Sequence, residues 1–545
     1  MNCEICFLPM KVRVVVPAGT TVLEGARKVG LPLASLCTGN GACGKCRIIP
    51  DRKAEGLNQL TLAEKLSLGA ELTARGYRLA CLTQVSCDVA IEIPAASLRA
   101  WVPLAKEAAK VLDLSSYPPR RDYKEAKQAW GIAVDLGTTT LAGYLHDLKS
   151  QSLERSAAVP NPQTLYGADI LTRANYGVNS PEGAKELRAA LFQGLNELLI
   201  TLLQGSAGLR RDVERIVLVG NAFMHHSFLG LDLLSLSQYP FAPLFTEGVS
   251  LRVADLGGEV PLLLEPATLV EVLPLVGGFV GSDLLAGLLA TGVIHSPDSF
   301  LYVDLGTNSE VALGNKERIL VTSTSAGPAF EGGAMECGMQ AQPGAIDEVD
   351  LASPDLTVRT IHNLPPLGLC GSGAISLLAE LLKKGIVDGR GHLLRPNGLI
   401  KEQAAYVLDL PNEKKIGLTA RDIGELQKAK AAVYAAAAVL AAEFGIPLHK
   451  ISRVYVAGAF GTYLPLDQAM SIGLLPNYHP EAIIPAGNAA GDGARMVLVS
   501  EELRQELGQV LSKVELLNMG VHPSFMAEFI KALFFPHEDL LWFES

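Results

Sequence analysis

Two stretches about 170 residues apart carry the same design. Gly131-Ile132-Ala133-Val134-Asp135-Leu136-Gly137-Thr138-Thr139-Thr140 is an apolar strand that breaks at Gly137 and resumes over Leu141 to Leu145. Phe300-Leu301-Tyr302-Val303-Asp304-Leu305-Gly306-Thr307-Asn308-Ser309-Glu310 repeats it. A strand–turn–strand repeated at this scale predicts two similar α/β lobes, 129–295 and 296–545. In a phosphate-binding hairpin the glycine lets the backbone come close to phosphate, while threonine hydroxyls and turn amides donate to it. An aspartate at the strand end holds Mg²⁺ through water. Asp135 and Asp304 are therefore the candidate Mg²⁺ residues. Gly137, Thr138, Thr139, Gly306, Thr307 and Asn308 are the candidate phosphate binders. One copy alone reads equally well as a plain hairpin; two at this spacing do not.

A third strand, Val454-Tyr455-Val456-Ala457, runs into the turn Gly458-Ala459-Phe460-Gly461. The three stretches in this order resemble the acetate kinase, sugar kinase, Hsp70 and actin superfamily over Trp130 to Arg495. That resemblance implies a two-lobed, ribonuclease H-like ATPase body, with Gly458 and Gly461 against the adenosine. Two more glycine loops are candidates to close over the nucleotide, Ser325 to Gly333 through Gly327 and Gly368 to Gly373 through Gly371 and Gly373. The second precedes a predicted helix, Ala374 to Lys383, whose amino end favours anions. The alternative for both is a tight turn between lobes.

The amino-terminal part carries different chemistry. Cys37-x5-Cys43-x2-Cys46, followed by Cys81, supplies four thiolates around a glycine-rich loop. Two sulfurs per iron and a supple backbone are what a [2Fe–2S] cluster needs. A strand at 10–16, a helix at 21–29, a strand at 47–50, a helix at 60–72 and a strand at 89–93 surround it. This order resembles a ferredoxin-type β-grasp (α+β) over 1–97, with the adrenodoxin-like x5 spacing. Cys87 competes with Cys81 as fourth ligand, but the Arg78-Leu79-Ala80-Cys81 stretch resembles ferredoxins. Gly39 to Cys46 almost spells a P-loop, yet cysteine stands where the magnesium-binding hydroxyl belongs. Cys3 and Cys6 form a lone C-x2-C. His225 and His226 are adjacent, so on a helix they splay about 100° apart and chelate poorly.

Nine cysteines in 545 residues are too few for a disulfide scaffold, and their clustering predicts metal ligation in a reducing compartment. A net charge of −11 without a basic run excludes a nucleic-acid surface. The start, Met1 to Cys6, lacks the features of a signal peptide. The alanine-rich stretch Ala431 to Ala442 is too short to cross a bilayer and reads as a buried helix. A cytoplasmic location is expected. The proline-interrupted residues 98–128 read as a linker.

A [2Fe–2S] domain, a linker and an actin-like body together resemble the reductive activators of corrinoid proteins. The match extends to Val219-Gly220-Asn221-Ala222-Phe223-Met224-His225-His226, Tyr239 to Pro243, Gly278 to Asp283, and Leu418 to Ile423 with Gln427 to Lys430. Some members carry carboxy-terminal [4Fe–4S] repeats instead, but no cysteine follows Cys370 here. The resemblance implies an ATP-dependent metalloreductase that passes one electron to Co(II) corrinoid, restoring the Co(I) state for methyl transfer. Cys37, Cys43, Cys46 and Cys81 would carry the electron, and Glu310 would position the attacking water. It also implies a corrinoid-protein partner, an upstream low-potential donor and a homodimer. A plant-type centre sits near about −400 mV, so the transfer runs uphill unless ATP-driven lobe closure shifts it. Three alternatives stay open: a 2-hydroxyacyl-CoA dehydratase activator using Cys337 and Cys370, a kinase with a fused redox sensor, and an ATP-binding redox regulator or electron carrier without turnover.

Overall fold

The computed structural model describes residues 2–29, 31, 33, 41, 44–51, 56–94, 97, 114, 117–120, 129–203, 212–351, 356–410, 415–458, 464–540 and 543. Cys37, Cys43, Gly461 and most of 98–128 lie outside them. The chain divides into two compact units, Met1–Val102 with Pro162–Gly183, and Pro103–Asn161 with Ala184–Ser545.

In the first unit, β1 (Asn2–Leu8), β2 (Val12–Pro17), β3 (Arg47–Pro50), β4 (Arg78–Leu79) and β5 (Val89–Glu92) form one sheet in the order β2-β1-β5-β3-β4. Strand β1 follows from period-two burial, with Cys3, Ile5 and Phe7 all in the core. Cys3 and Cys6 thus point to opposite faces of one strand and cannot chelate together. Both helices, Val22–Lys28 and Leu62–Ala74, open with reciprocal capping boxes, Thr21 with Glu24 and Thr61 with Glu64. The described residues adopt the β-grasp expected of a ferredoxin.

In the second unit, β6 (Trp130–Leu136), β7 (Thr140–Asp147), β8 (Leu153–Pro160), β9 (Val213–Gly220), β10 (Val249–Arg252) and β11 (Leu269–Val272) form a sheet ordered β10-β11-β9-β6-β7-β8. Next in the chain come β12 (Phe300–Asp304), β13 (Ser309–Gly314) and β14 (Ile319–Thr324). Two small sheets follow, one of β15 (Ala345–Asp350), β16 (Thr357–Thr360) and β17 (Gly368–Leu369), the other of β18 (Gly398–Ile400), β19 (Gln403–Val407) and β20 (Gly417–Thr419). Then β21 (Arg453–Ala457), β22 (Ile483–Gly487) and β23 (Val514–Leu516) join the earlier three in the order β22-β21-β12-β13-β14-β23. Each large sheet is an antiparallel meander whose first strand takes a parallel neighbour, β9 beside β6 and β21 beside β12. A further parallel strand, β11 or β22, lies outside that neighbour. The repeat seen in sequence is a repeat of topology.

The two halves exchange elements. Helix Ala489–Val499, from the second half, packs on β6, β9 and helix Ser282–Thr291 of the first. A side chain at Gly493 would come within 2.0 Å of the Ala286 carbonyl, so the two helices cross at backbone contact. The alanine-rich helix Ala420–Phe444 packs against β13 and β14, and no described helix is long and apolar enough to cross a membrane. Its Thr419–Asp422 capping box also binds the Glu336 N–H through Asp422 at 2.9 Å. Gln427 holds the Arg390 and Leu533 carbonyls, each at 2.9 Å. Those motif residues therefore organise the body.

The expected linker is partly anchored. Leu114 and Tyr117 pack on the core, and the Arg120 N–H donates to the Val499 carbonyl at 3.1 Å. The Arg120 guanidinium, only 7% exposed, forms ion pairs with Glu271 at 2.6 Å and Glu501 at 2.9 Å. Its fork explains why the chain docks here rather than running free. Arg120→Ala removes the closer of the two ion-pair partners that the described residues give buried Glu271, leaving Arg215 at 3.2 Å. The expected outcome is a loss of about 3 kcal/mol in urea denaturation of the body, with the visible absorption of the amino-terminal domain unchanged.

Candidate nucleotide and cluster sites

Ladder register brings two of the four candidate cluster ligands together. Arg47 pairs with Leu79 and Ile48 with Arg78, and the Ala80 N–H donates to the Cys46 carbonyl at 2.8 Å. Glu64, fully buried, takes the Arg78 guanidinium at 2.8 Å and the Leu79 N–H at 3.1 Å, fixing the stretch that carries Cys81. Cys46 Sγ then lies 3.4 Å from Cys81 Sγ. Two thiolates tetrahedrally bound to one metal at about 2.3 Å sit roughly 3.8 Å apart, so this pair fits a single iron. Helix Leu62–Ala74 backs the cluster loop, with Ser67 Oγ donating to the Gly41 carbonyl at 2.5 Å. Gly41 (φ +79°) and Gly44 (φ +60°) adopt left-handed backbone that favours glycine. A side chain on Gly41 would strike Leu82 at 2.5 Å, and one on Gly44 would reach the Ser67 carbonyl at 3.0 Å. Arg27 Nε and Nη2 are buried without a hydrogen-bond acceptor; burial lowers the guanidinium's affinity for its proton, opposed in part by Tyr176, Tyr166, Glu24 and Cys81. Buried orphan donors near a ligand cysteine fit a sulfur-bearing group. Cys87 instead packs against Gly56 and bonds the Asp88 carbonyl at 3.6 Å.

The repeated hairpins end as anticipated, Asp135 near the close of β6 and Asp304 at the end of β12. A Cβ on Gly137 would sit 2.4 Å from the Thr140 carbonyl, so this turn admits only glycine. Asn161 braces the hairpin from behind, its N–H donating to the Thr139 carbonyl at 2.8 Å and its side chain to the Gly137 carbonyl at 3.0 Å. Thr138 Oγ1 receives the Asn221 amide at 3.2 Å. In the second hairpin Ser309 Oγ lies 3.4 Å from the Gly306 nitrogen, and the Thr307 N–H donates to Glu331 at 3.0 Å. Gly327 donates its N–H to the Thr307 carbonyl at 3.0 Å, which places its loop on this hairpin. Thr307 Oγ1 and Asn308 Nδ2 are buried without partners, and a phosphate would satisfy both. Gly458 (φ +93°) closes the third strand against the second hairpin: its Cβ would lie 2.6 Å from the Leu305 carbonyl and 2.7 Å from Asp304 Oδ1. Gly371 and Gly373 begin helix Gly371–Lys383. A Cβ on Gly373 would be 2.0 Å from the Ile346 carbonyl, so packing against β15 accounts for that glycine.

Four carboxylates share this region. Burial and the nearby Asp135 and Asp304 charges push the Asp283 carboxyl up to about 7. Burial, Asp283 and Asp304 likewise push Glu310 well above the carboxylate range. Glu310 stands opposite Asp304 in the β12–β13 ladder and receives Ser323 Oγ at 3.4 Å. Tyr302 donates its hydroxyl to Asp304 at 3.3 Å. Among the described residues no three such side chains converge closely enough to hold an ion alone. Mg²⁺ at this place would rely on water and on the nucleotide's own phosphates.

Sequence reasoning gave no role to Asp283, Asn221, Glu331 or Tyr302. Asp283 had a signal, a Gly-Ser-Asp opening a helix. Ser282 Oγ takes the Gly220 N–H at 3.1 Å and meets His225 Nε2 at 3.0 Å, pinning that helix start to the end of β9. His225 and His226 are thus hydrogen-bonded core residues, His226 donating to the Ala222 carbonyl at 2.8 Å and accepting the Leu244 N–H at 3.0 Å. Burial holds His225 down to about 3, and burial with Arg495 does the same to His146.

Two outcomes follow. If the hairpins hold nucleotide, Gly458→Ala is expected to weaken its binding at least about tenfold in a titration with ATP, because the new methyl displaces Asp304 and the backbone there is left-handed. His146 stays neutral when folded but protonates near 6.5 when unfolded. Its contribution is present above that value and declines as pH falls, by about 2 kcal/mol near pH 5. The His146→Gln variant, which has no such proton to gain, should show a smaller fall in melting temperature between about pH 7 and pH 5.

Comparison with known proteins matches three regions in order. Residues 7–86 match the 2Fe-2S iron-sulfur cluster binding domain, 130–296 the RACo middle region, and 298–545 the C-terminal domain of RACo, the ASKHA domain. Corrinoid activation enzyme RamQ of Eubacterium limosum is 29% identical over 88% of this chain and 90% of its own length. The [Co(II) methylated amine-specific corrinoid protein] reductase of Methanosarcina barkeri is 26% identical over 71% and 73%. A solved reductive activator for corrinoid, iron-sulfur protein aligns over 100% of both chains with a TM-score of 0.72 and 28% identity. With its ferredoxin domain, middle region and ASKHA domain matched in sequence order, the chain belongs to the family of reductive activators of corrinoid proteins.

Proposed function

We infer that this protein uses ATP to drive one low-potential electron onto the Co(II) corrinoid of a partner protein, giving the Co(I) state that accepts a methyl group. The observation that carries the reading is the joining, in one chain, of a paired Cys46–Cys81 thiol site to two symmetric hairpins with orphaned phosphate donors. A bound [2Fe–2S] cluster, held by Cys37, Cys43, Cys46 and Cys81, supplies the one-electron centre. Thr138, Thr139, Thr307 and Asn308 bind the phosphates, Asp135 and Asp304 hold Mg²⁺ through water, and Gly458 lets the base approach. Glu310, whose carboxyl holds its proton through burial and the Asp283 charge, would position the attacking water by hydrogen bonding. An upstream low-potential donor, a homodimer and a reducing, cytoplasm-like compartment complete the reading.

The dehydratase-activator alternative needs thiols that reach a second subunit. Cys370 is 1% exposed and its Sγ lies 3.1 Å from both the Ile346 carbonyl and Ser372 Oγ. That cysteine is a core residue, which counts against the alternative.

The test is anaerobic. Reduced protein, ATP and a Co(II)-loaded corrinoid protein are mixed, and the Co(I) absorption band is followed. Co(I) is expected only with ATP, and Asp304→Asn is expected to slow its formation by roughly a hundredfold while iron and sulfide stay at about two per chain. If no corrinoid protein yields Co(I) while ATP phosphorylates a small metabolite, the kinase alternative stands instead.

A further inference from the structure

Arg27 occupies an unusual place in the first unit. Its guanidinium carbon is 5.4 Å from the Tyr166 ring centroid and 5.9 Å from that of Tyr176, and these two rings are 5.0 Å apart. Such stacking orients a cation while leaving its N–H edge free. Nε and Nη2 are buried and find no acceptor. The helix bearing Arg27 starts on the turn that carries Cys81, the Val22 N–H donating to the Thr83 carbonyl at 2.8 Å and the Leu23 N–H to the Ala80 carbonyl at 2.9 Å. A buried guanidinium without acceptors is costly, and a cluster sulfur is an acceptor of the right kind. A positive donor beside a thiolate-ligated centre favours its reduced, more negative state and so raises its potential.

The two tyrosines belong to the segment Pro162–Gly183, which is knitted to itself. The Tyr166 N–H donates to the Gln163 carbonyl at 2.9 Å and Arg173 Nε to the Gly167 carbonyl at 2.8 Å, while Asp169 caps helix Ile170–Asn179. Immediately before it stands Asn161, fully buried, which donates to the Thr139 and Gly137 carbonyls of the first phosphate hairpin. Five residues of chain therefore lead from the back of that hairpin to the ring on which Arg27 rests.

The geometry points to Arg27 as the residue that sets the reduction potential of the cluster, and to the segment from Asn161 to Tyr176 as the element through which nucleotide alters that setting. The inference rests on the cluster and nucleotide sites proposed above. A phosphate drawn to the amides of Gly137-Thr138-Thr139 moves the carbonyls that hold Asn161, and the tyrosines carry Arg27 with them. Drawing the charge away from sulfur lowers the potential, so the electron becomes easier to release when ATP is bound.

The test is a potentiometric titration of full-length protein, following the electron paramagnetic resonance signal of the reduced cluster with and without a saturating non-hydrolysable ATP analogue. Arg27→Gln is expected to lower the reduced-to-oxidised ratio at a given potential about tenfold, which for one electron is about 59 mV. Arg27→Lys, which keeps the charge but not the fork, should fall between. The analogue should lower the potential of the unaltered protein, and Asn161→Ala, which removes the side-chain bond to Gly137 but keeps the backbone bond to Thr139, should shrink that shift at analogue concentrations raised until the variant is saturated. A fully loaded Arg27→Gln protein that titrates like the unaltered one overturns the proposal, as does an unaltered protein whose potential stays fixed or rises with nucleotide. Should Arg27→Gln lose its cluster, Arg27→Lys and Tyr166→Ala decide, and unchanged potentials in both overturn it. Absence of iron from the unaltered protein sinks the cluster reading itself, a distinct result.

Discussion

Mutual repulsion among Asp135, Asp283, Asp304 and Glu310 is the constraint around which the body is arranged. Burial first, and neighbouring like charges second, favour retained protons on Asp283 and Glu310. Two of these carboxylates come from the ends of equivalent strands, so the fold's own duplication brings them to one place. A hydrated cation carried in by phosphates, as proposed above, would reverse the balance by drawing the carboxylates toward one centre. Under the proposed function, a cation arriving with nucleotide would relieve that crowding of acidic groups.

That relief reaches the rest of the body because the halves are not separable at the repeat boundary. Helix Ala489–Val499 returns to the first sheet and meets helix Ser282–Thr291 at backbone contact through Gly493. The helix that begins with Ser282 and Asp283 is thereby fixed at two points, to the end of β9 and to a helix from the opposite half. Rigid elements pinned in this manner transmit a displacement instead of absorbing it. Arg120 adds a third tie by fastening the segment that follows the amino-terminal domain onto β11 and helix Glu501–Leu511.

What could be read from the chain follows from the range of the interactions. The strand ends at Asp135, Asp304 and Gly458 are local patterns, and each lies where its pattern implies. The pairing of Cys46 with Cys81 was legible as ligand spacing, but its cause, the Glu64–Arg78 bond across 14 residues, was not. Strand β1 was hidden because Cys3 and Cys6 draw the eye as a metal motif while the period-two run Cys3, Ile5, Phe7 carries the structure. Asp283 was present in a recognisable motif, yet its surroundings are set by burial and by Asp135 and Asp304, which lie on strands of the two separate hairpins and outside any local window. Residues 98–128 looked free because charge and proline resemble a tether, and only the buried carboxylate Glu271 reveals that Arg120 is held.

Arg27 illustrates the same limit from the side of function. On its helix it is one basic residue in the last turn, where a cation suits the helix end and needs no further reason. The segment Pro162–Gly183 likewise reads as an ordinary loop and helix inside the first lobe, although it packs with the amino-terminal domain. Only when the two are seen together does a cation stacked on two tyrosines, with unspent donors beside a ligand cysteine, stand out from a surface charge. An uphill electron transfer needs the donor potential and the nucleotide state to be linked by something physical. A chain that leaves the first hairpin at Asn161 and enters the amino-terminal unit at Pro162 would provide the proposed link through its own backbone.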